Sequence, residues 1–243
     1  CLWKNNRRRC GGEKFRKHCT NLRISIILLA ELKQFDMEKT EILKEALEVL
    51  RSGGVLLYPT DTVWGLGCDA SDPNAVSRIY DIKKRSDSKS LVLLASDMDM
   101  VARYVKEIPE MAVQLVEVND RPMTIIYPGA KVSATQADPV TGKFPVDKYS
   151  LALNAVAEDG TVGIRIPMMD FCVELVRKFG RPIVSTSANI SGEATPKRFS
   201  EISEEIKKAA DYTVAPELEK GSTGQSSSII KVGLDATIQI IRK

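Results

Sequence analysis

A cluster of cationic side chains, Lys83, Lys84, Arg85 and Lys89, stands just before an apolar run that reads as a strand. Two interpretations are open. Lys and Arg favour the last turn of a helix, where they complement the helix dipole, so the cluster can be a solvated helix end and turn. Alternatively, if the helix ends near residue 83, Arg85 supplies a fork for phosphate and the lysines supply point charges, which predicts a site for a phosphate-bearing ligand.

Polar residues also follow two other predicted strands. Thr60, Asp61 and Thr62 lie in "PTDTVWGLG" after the apolar run "VLLY", and "PIVSTSANISG" ends in hydroxyls and an amide, including Ser187 and Asn189. α/β sheets place ligands at strand ends, which favours a binding site, although plain turns are the alternative.

Arg165 lies inside the apolar segment "VGIRIP". An arginine in a buried strand requires a partner, because an unpaired buried charge is costly. We expect it to bind a carboxylate or phosphate, and a structural ion pair is the alternative.

Several reaction types are excluded for residues 37–243, which contain no histidine and only two cysteines, Cys68 and Cys172. A Ser-His-Asp triad, a Cys-His dyad and a His/Cys zinc site therefore cannot be built there. Neither a P-loop motif nor a dinucleotide-binding glycine motif is present. Chemistry in this region must use Lys, Arg, Ser, Thr, Asn, carboxylates, backbone amides or a metal that arrives with the substrate, and we predict no metal site.

Residues 1–36 differ in composition from the rest of the chain. They carry nine Lys/Arg against three Asp/Glu, a balance of +6, which leaves about −3 for residues 37–243. We expect residues 1–36 to be a leader outside the fold, and 37–243 to form one domain. The longest apolar stretch is too short to cross a bilayer, so no membrane association is expected. The two remaining cysteines are typical of a reduced cytoplasmic protein.

Helices and strands alternate along residues 37–243. Apolar periodicity predicts helices over 40–51, from Asp72 to about 83, near 97–105 and 109–117, and over 170–179 and 199–209. Strands are predicted over 55–58, 91–95, 122–127, 161–167, 182–189, 211–215, 227–232 and 237–242, with loops over 59–67 and 129–158. This alternation predicts an α/β fold whose sheet is largely covered on both faces.

In this order, the motifs "PTDTVWGLG", "KKR…K", "GIRIP", "STSANISG" and "GQSSSIIK" resemble the YrdC-like domain of the threonylcarbamoyl-AMP synthases, from about residue 41 to the end. The resemblance implies a twisted open mixed sheet with flanking helices around a cationic cavity. It also implies synthesis of L-threonylcarbamoyl-AMP from L-threonine, bicarbonate or CO2, and ATP, with release of pyrophosphate. Mg²⁺ would arrive with ATP, and separate transferase proteins would use the product to modify tRNA.

The resemblance also carries roles for individual residues. Lys83 and Arg85 would be catalytic and, with Lys89, would hold the ATP phosphates. The L-threonine site would comprise Thr62, Arg165, Ser187 and Ser227, and Asn189 and Arg242 would lie near the nucleotide. Ser86 and Ser90 depart from the family pattern, which usually has proline at both positions, so the loop loses two fixed φ angles.

Two alternatives remain. A paralogue of the same fold would bind nucleotide for another carbamoyl transfer or for ATP hydrolysis. A double-stranded-RNA or tRNA-binding module would use a cationic surface, although the slightly acidic composition of residues 37–243 argues against extended contact with a nucleic-acid backbone.

Overall fold

The computed structural model describes residues 37–84, 91–133 and 149–243. The chain divides into two compact units, residues 1–42 and 43–243. The predicted boundary between a leader and a domain at residue 36 stays a prediction. No helix in the described ranges is long and apolar enough to span a membrane.

Six α-helices lie in the described ranges. They are α1 (37–51), α2 (Pro73–Lys83), α3 (Met98–Tyr104), α4 (Glu110–Glu117), α5 (Asp170–Phe179) and α6 (Glu204–Ala209), with short 3₁₀ turns at Leu153–Ala155, Phe199–Glu201 and Pro216–Glu219. Nine strands accompany them: β1 (Leu56–Tyr58), β2 (Gly65–Gly67), β3 (Val92–Leu94), β4 (Met123–Tyr127), β5 (Val162–Arg165), β6 (Ile183–Ser187), β7 (Tyr212–Thr213), β8 (Ser228–Val232) and β9 (Ile238–Arg242).

The strands form one mixed sheet in the order β7-β1-β2-β6-β3-β5-β4-β8-β9. The pairs β1–β7, β3–β5 and β4–β8 are parallel, and the other neighbours are antiparallel. β6 lies between β2 and β3, and β3 is the central strand of the nine. The predicted α/β class with a mixed sheet and flanking helices is confirmed.

Local sequence signals place the start and end of α2 as predicted. The Asp72 side chain caps the helix by accepting hydrogen bonds from the backbone N–H of Asn74 at 2.9 Å and of Ala75 at 3.4 Å. Pro73 occupies the first turn, where a missing N–H costs nothing. The helix ends at Lys83, and the residue that caps it, Lys84, has a left-handed φ of 49°.

Two predictions about individual elements were wrong. Residues 65–67, predicted as loop, form strand β2, because the glycines allow the ring of Tyr58 to lie against this strand: a Cβ on Gly67 would come within 2.6 Å of Tyr58 Cε1. The predicted helix over 199–209 is broken. A 3₁₀ turn precedes α6, and Ser203 caps α6 by accepting from Ile206 N at 3.4 Å.

The core lies between the sheet and its helices, and includes Trp64, Tyr58 and Leu57 in or next to the first strands. Coverage is not uniform. Every residue of β9 is exposed, so the expectation that both faces are largely covered fails at this edge of the sheet.

Candidate active site

A cavity of about 270 Å³ opens where the loop between β1 and β2, the ends of β5 and β6, and the segment before β8 approach one another. Its walls carry two guanidinium groups and several hydroxyls. The polar lining residues include Thr60, Thr62, Arg165, Ser185, Thr186, Ser187, Ser226, Ser227 and Arg242. Five of the predicted site residues therefore share one cavity: Thr62, Arg165, Ser187, Ser227 and Arg242.

Arg165 is held by a buried carboxylate. Its Nη1 donates a hydrogen bond to Oδ1 of Asp61, and the two residues are only 3% and 5% exposed. The other carboxylate oxygen, Oδ2, accepts from the backbone N–H of Met168 at 3.2 Å. The side chain of Asp61 is thus fully engaged, and it both compensates the charge of Arg165 and fixes the orientation of its guanidinium.

Residues 60–63 form a short chain of hydrogen bonds. The hydroxyls of Thr60 and Thr62 are 2.8 Å apart, and Thr60 Oγ1 donates to the carbonyl oxygen of Val63 at 2.7 Å. Thr62 Oγ1 lies 3.3 Å from Nη2 of Arg165, which can only donate. Thr62 therefore connects the loop to the guanidinium.

The segment 219–224 forms hydrogen bonds with the loop between β1 and β2. The backbone N–H groups of Thr223 and Gly224 donate to the carbonyl oxygens of Asp61 at 3.0 Å and Thr62 at 2.8 Å. Glu219 accepts from Nε1 of Trp64 at 2.7 Å. These contacts fix the backbone that presents Thr62 to the cavity.

Ser227 and Arg242 form the opposite wall. Arg242 Nε donates to the carbonyl oxygen of Ser227 at 2.8 Å, and the hydroxyl of Ser227 lies 2.8 Å from that of the buried residue Thr124 on β4. Partial burial lowers the pKa of Arg242, which at neutral pH still leaves a guanidinium cation. Sequence reasoning missed Thr124, and a hydroxyl inside the apolar strand "PMTIIY" was the signal that could have found it.

Lys83 is not one of the residues that line the cavity, although it contacts Ser187, which does line it. Its residue is 3% exposed, and its Nζ donates to the carbonyl oxygen of Ser187 and to that of Asn189, the latter at 2.7 Å. The end of α2 is thereby attached to the end of β6. In this arrangement the ammonium organises the segment 187–189, and its predicted contact with phosphate stays a prediction.

Asn189 uses its side chain within the turn that follows β6. Its Nδ2 donates to the carbonyl oxygen of Glu193 at 2.8 Å and to that of Ile190 at 3.1 Å. Its Oδ1 lies 3.4 Å from Nζ of Lys83. A nucleotide contact by Asn189 stays a prediction.

The remaining cations of the first motif have different positions. Arg85 and Lys89 lie outside the described residues, as do Ser86 and Ser90. Lys84 points to the surface and pairs with Glu205 at 2.7 Å, with 62% of its side chain exposed. Lys84 is therefore the solvated cation of a helix end, whereas Lys83 is buried, and the anion site in this segment stays a prediction.

The described residues contain two buried cysteines, whose thiols are poorly suited to act as nucleophiles, and no metal-binding cluster. Burial raises the pKa of the Cys172 thiol, which lies 3.3 Å from the carbonyl oxygen of Pro59, and burial likewise raises that of Cys68. No group of His, Cys, Asp and Glu side chains in the described ranges could hold a metal ion. The cavity is equipped to bind a small ligand that carries a carboxylate and hydrogen-bond donors.

Comparison with known proteins identifies the family. The model of the Sua5/YciO/YrdC family, described as "Telomere recombination", matches residues 48–243. The chain belongs to the Sua5/YciO/YrdC family. The resemblance expected from the motifs is confirmed, and the match covers the cavity and every predicted site residue.

Members of this family with similar sequences are named threonylcarbamoyl-AMP synthase. The protein of Stenotrophomonas maltophilia is 31% identical over 169 residues, which cover 70% of this chain and 83% of that protein. The protein of Hahella chejuensis is 35% identical over 147 residues, which cover 60% and 71% of the two chains. The names of these relatives show that the chain is similar to enzymes.

Solved structures of the family share this fold. The Sua5 of P. abyssi, crystallised with L-threonine, has a TM-score of 0.61 and 26% identity, and the match covers 80% of this chain and 51% of that one. E. coli YciO has a TM-score of 0.64 at 24% identity, with 84% and 89% covered, which shows the fold alone. The large cationic cavity implied by the family resemblance stays a prediction, since one of the two guanidinium groups that line the cavity is compensated by Asp61.

Proposed function

We propose that this chain synthesises L-threonylcarbamoyl-AMP from L-threonine, bicarbonate or CO2, and ATP, with release of pyrophosphate. One observation carries the proposal: a buried guanidinium, Arg165, is held by Asp61 beside the hydroxyl of Thr62 in a cavity at the strand ends. Such a group recognises a carboxylate by paired N–H donors. Family membership supports the proposal, as do the name shared by the curated relatives and the binding of L-threonine by P. abyssi Sua5.

The size of the cavity suits the amino acid rather than the whole set of substrates. Its volume of about 270 Å³ is below the roughly 300–1,000 Å³ typical of sites for drug-sized ligands. We therefore assign the cavity to L-threonine, with Arg165 on the carboxylate and Thr62, Ser187 and Ser227 around the rest of the molecule. ATP would extend past Asn189 and Arg242, and Lys83, Arg85 and Lys89 are the proposed phosphate-binding and catalytic cations.

The chemistry needs no nucleophile from the protein. The amine of threonine is carboxylated, and an oxygen of the resulting carbamate attacks the α-phosphate of ATP, so a new P–O bond forms while the bond to the pyrophosphate leaving group breaks. Positioning and charge stabilisation carry most of the catalysis in such transfers. Hydroxyls and fixed cations are sufficient for both, in agreement with the inert state of Cys68 and Cys172.

The donor set of the cavity does not build a Mg²⁺ site of its own. Carboxylates are the side-chain ligands that most often hold Mg²⁺, and the carboxylate nearest the cavity, that of Asp61, is bound to Arg165 and to the N–H of Met168. We propose that Mg²⁺ belongs to the ATP substrate and is held by phosphates and water.

The proposal extends to the partners of the reaction. The adenylate product would be consumed by separate transferase proteins that place the threonylcarbamoyl group on tRNA, and direct contact with tRNA or double-stranded RNA stays a prediction. We propose a cytoplasmic location, because the two free cysteines of residues 37–243 are typical of a reducing compartment.

The test measures pyrophosphate release by the full chain with all three substrates and with each one omitted. We expect release only when L-threonine, bicarbonate and ATP are all present, together with an adenylate that contains the threonine carbons. Arg165→Met should abolish release. Equal release with L-serine, or none with L-threonine, would overturn the assignment.

A further inference from the structure

The hydroxyl of Thr60 has a fixed hydrogen-bond polarity. Thr60 is 1% exposed, and its single hydroxyl proton is committed to the carbonyl oxygen of Val63 at 2.7 Å, because a carbonyl can only accept. The same oxygen accepts from the backbone N–H of Thr62 at 3.2 Å. Toward the hydroxyl of Thr62, 2.8 Å away, Thr60 can therefore act only as an acceptor.

This polarity decides what Thr62 presents to the cavity. Its hydroxyl proton is directed to Thr60 Oγ1 and is therefore not available to a ligand. One of its lone pairs faces Nη2 of Arg165 at 3.3 Å, since a guanidinium is always a donor. What remains is a lone pair, so Thr62 offers the cavity an acceptor and no donor.

We propose that Thr60 is a positioning residue that makes Thr62 the acceptor for the α-amino group of the amino-acid substrate. The inference rests on the proposed function and deepens it, because it states which atom of the substrate Thr62 binds and why. A ligand carboxylate has no proton to give, so it cannot be the partner of Thr62.

L-Threonine carries two groups that can donate, the amino group and the side-chain hydroxyl. The amino group is the one that fits, because it shares the α-carbon with the carboxylate, and the carboxylate is assigned to Arg165. Thr62 Oγ1 lies only 3.3 Å from that guanidinium, so a ligand whose carboxylate sits on Arg165 brings its amino group next to Thr62. The nitrogen to be carboxylated is thereby oriented by the protein before it reacts.

The matched pair of variants is Thr60→Val and Thr60→Ser. Valine keeps the shape of threonine but removes the hydroxyl, so the carbonyl oxygen of Val63 loses its donor and the hydroxyl of Thr62 loses its acceptor. The proton of Thr62 can then turn toward the cavity and oppose the substrate N–H groups. Serine keeps the hydroxyl. Calorimetry on the full chain should show L-threonine binding weakened about tenfold in Thr60→Val, the size of one lost hydrogen bond to a charged group, and nearly unchanged in Thr60→Ser.

If Thr60 had only a structural role, its loss would weaken the binding of L-threonine and of ATP alike. KM for ATP is therefore measured in the same variants. We expect it to stay within about twofold of the wild-type value, a difference below 1 kcal/mol. Two analogues locate the donor. 3-Hydroxybutanoate lacks the amino group, and 2-aminobutanoate lacks the hydroxyl. The wild-type chain should bind 3-hydroxybutanoate at least about tenfold more weakly than L-threonine. Thr60→Val should reduce this ratio of the two affinities, and it should leave the ratio of the affinities for L-threonine and 2-aminobutanoate unchanged.

The possible results separate the inference from the proposed function. If the wild-type chain does not bind L-threonine, the proposed function is wrong and the inference is wrong with it. If the wild-type chain binds L-threonine but Thr60→Val binds it equally well, only the inference is overturned. The same holds if Thr60→Ser behaves like Thr60→Val, or if the ratio for 2-aminobutanoate changes instead. Should Thr60→Val fail to fold, equal binding of 3-hydroxybutanoate and L-threonine by the wild-type chain overturns the inference by itself.

Discussion

Arg165 on β5 and Asp61 in the loop after β1 form an ion pair in which the arginine side chain is 4% exposed and the carboxylate 7%. Neither residue is near the other in sequence, and each provides the charge that the other needs in order to be buried. The pair fixes the guanidinium of Arg165 in the wall of the candidate threonine site.

Removal of the Asp61 carboxylate should lower the free energy of unfolding. Asp61→Asn leaves a buried guanidinium without its counter-charge, and we expect a loss of about 3–5 kcal/mol in the free energy of unfolding, measured by urea denaturation. The double variant Asp61→Leu/Arg165→Met is the control, because it removes both charges and should lose less. If Asp61→Asn is as stable as the wild-type chain, the pair does not stabilise the fold.

Lys83 and its neighbour Lys84 form a natural matched pair of sites. Lys83→Met leaves the buried carbonyl oxygens of Ser187 and Asn189 without their donor, so we expect a loss of about 1–3 kcal/mol in unfolding free energy and a strong loss of adenylate synthesis. Lys84→Met removes only an exposed pair with Glu205 and should change stability by no more than about 1 kcal/mol. Similar losses of unfolding free energy at both positions would contradict the conclusion that Lys83 stabilises the segment 187–189.

Substitution of alanine for glycine should change the stability of the protein by different amounts at two positions in the sheet. A Cβ on Gly67 would come within 2.6 Å of Tyr58 Cε1 and 2.8 Å of the carbonyl oxygen of Val184, so Gly67→Ala should destabilise the protein by about 1–3 kcal/mol. Gly163 is the control, since the nearest atom to its Cβ, Thr124 Cγ2, is at 3.4 Å. Thermal denaturation compares the two, and a lower Tm for Gly163→Ala than for Gly67→Ala would contradict the packing described here.

The free energy of unfolding should depend on pH through the carboxyl group of Asp211. Arg78 and the backbone N–H of Val55, which donates at 2.7 Å, hold the pKa of this carboxyl below its usual value of 3.8. Because the folded pKa is lowered, the unfolded state binds more protons near and below that value, so this contribution is present at neutral pH and is lost as the pH falls through the folded pKa.

Asp211→Asn tests this directly. It should lower the unfolding free energy by no more than about 1 kcal/mol at pH 7, since the pair is partly exposed, and the difference from wild type should shrink toward pH 2. Asp120→Asn is the control, because that side chain is 89% exposed. A difference that is constant with pH would exclude Asp211 as its source.

Local signals in the sequence determined much of this protein. The cap and proline of α2, the apolar face of α5 and the apolar runs of the central strands act within one element, so each can be read without the fold. The absence of histidine from residues 37–243 restricted the chemistry in the same direct way, because a residue type that is absent cannot be supplied by tertiary structure.

The pairing of these residues was decided only by the tertiary structure. Arg165 required a partner, but the choice between a ligand and Asp61 depended on which strand end came to lie beside β5. Lys83 and Lys84 are adjacent in the sequence, and yet the left-handed turn at Lys84 and the position of β6 bury the first and expose the second. The polarity of Thr62 follows from hydrogen bonds to Thr60 and Arg165, whose directions depend on three-dimensional placement. Residue types set what each side chain can donate or accept, and the fold alone decided which of those capacities face the cavity.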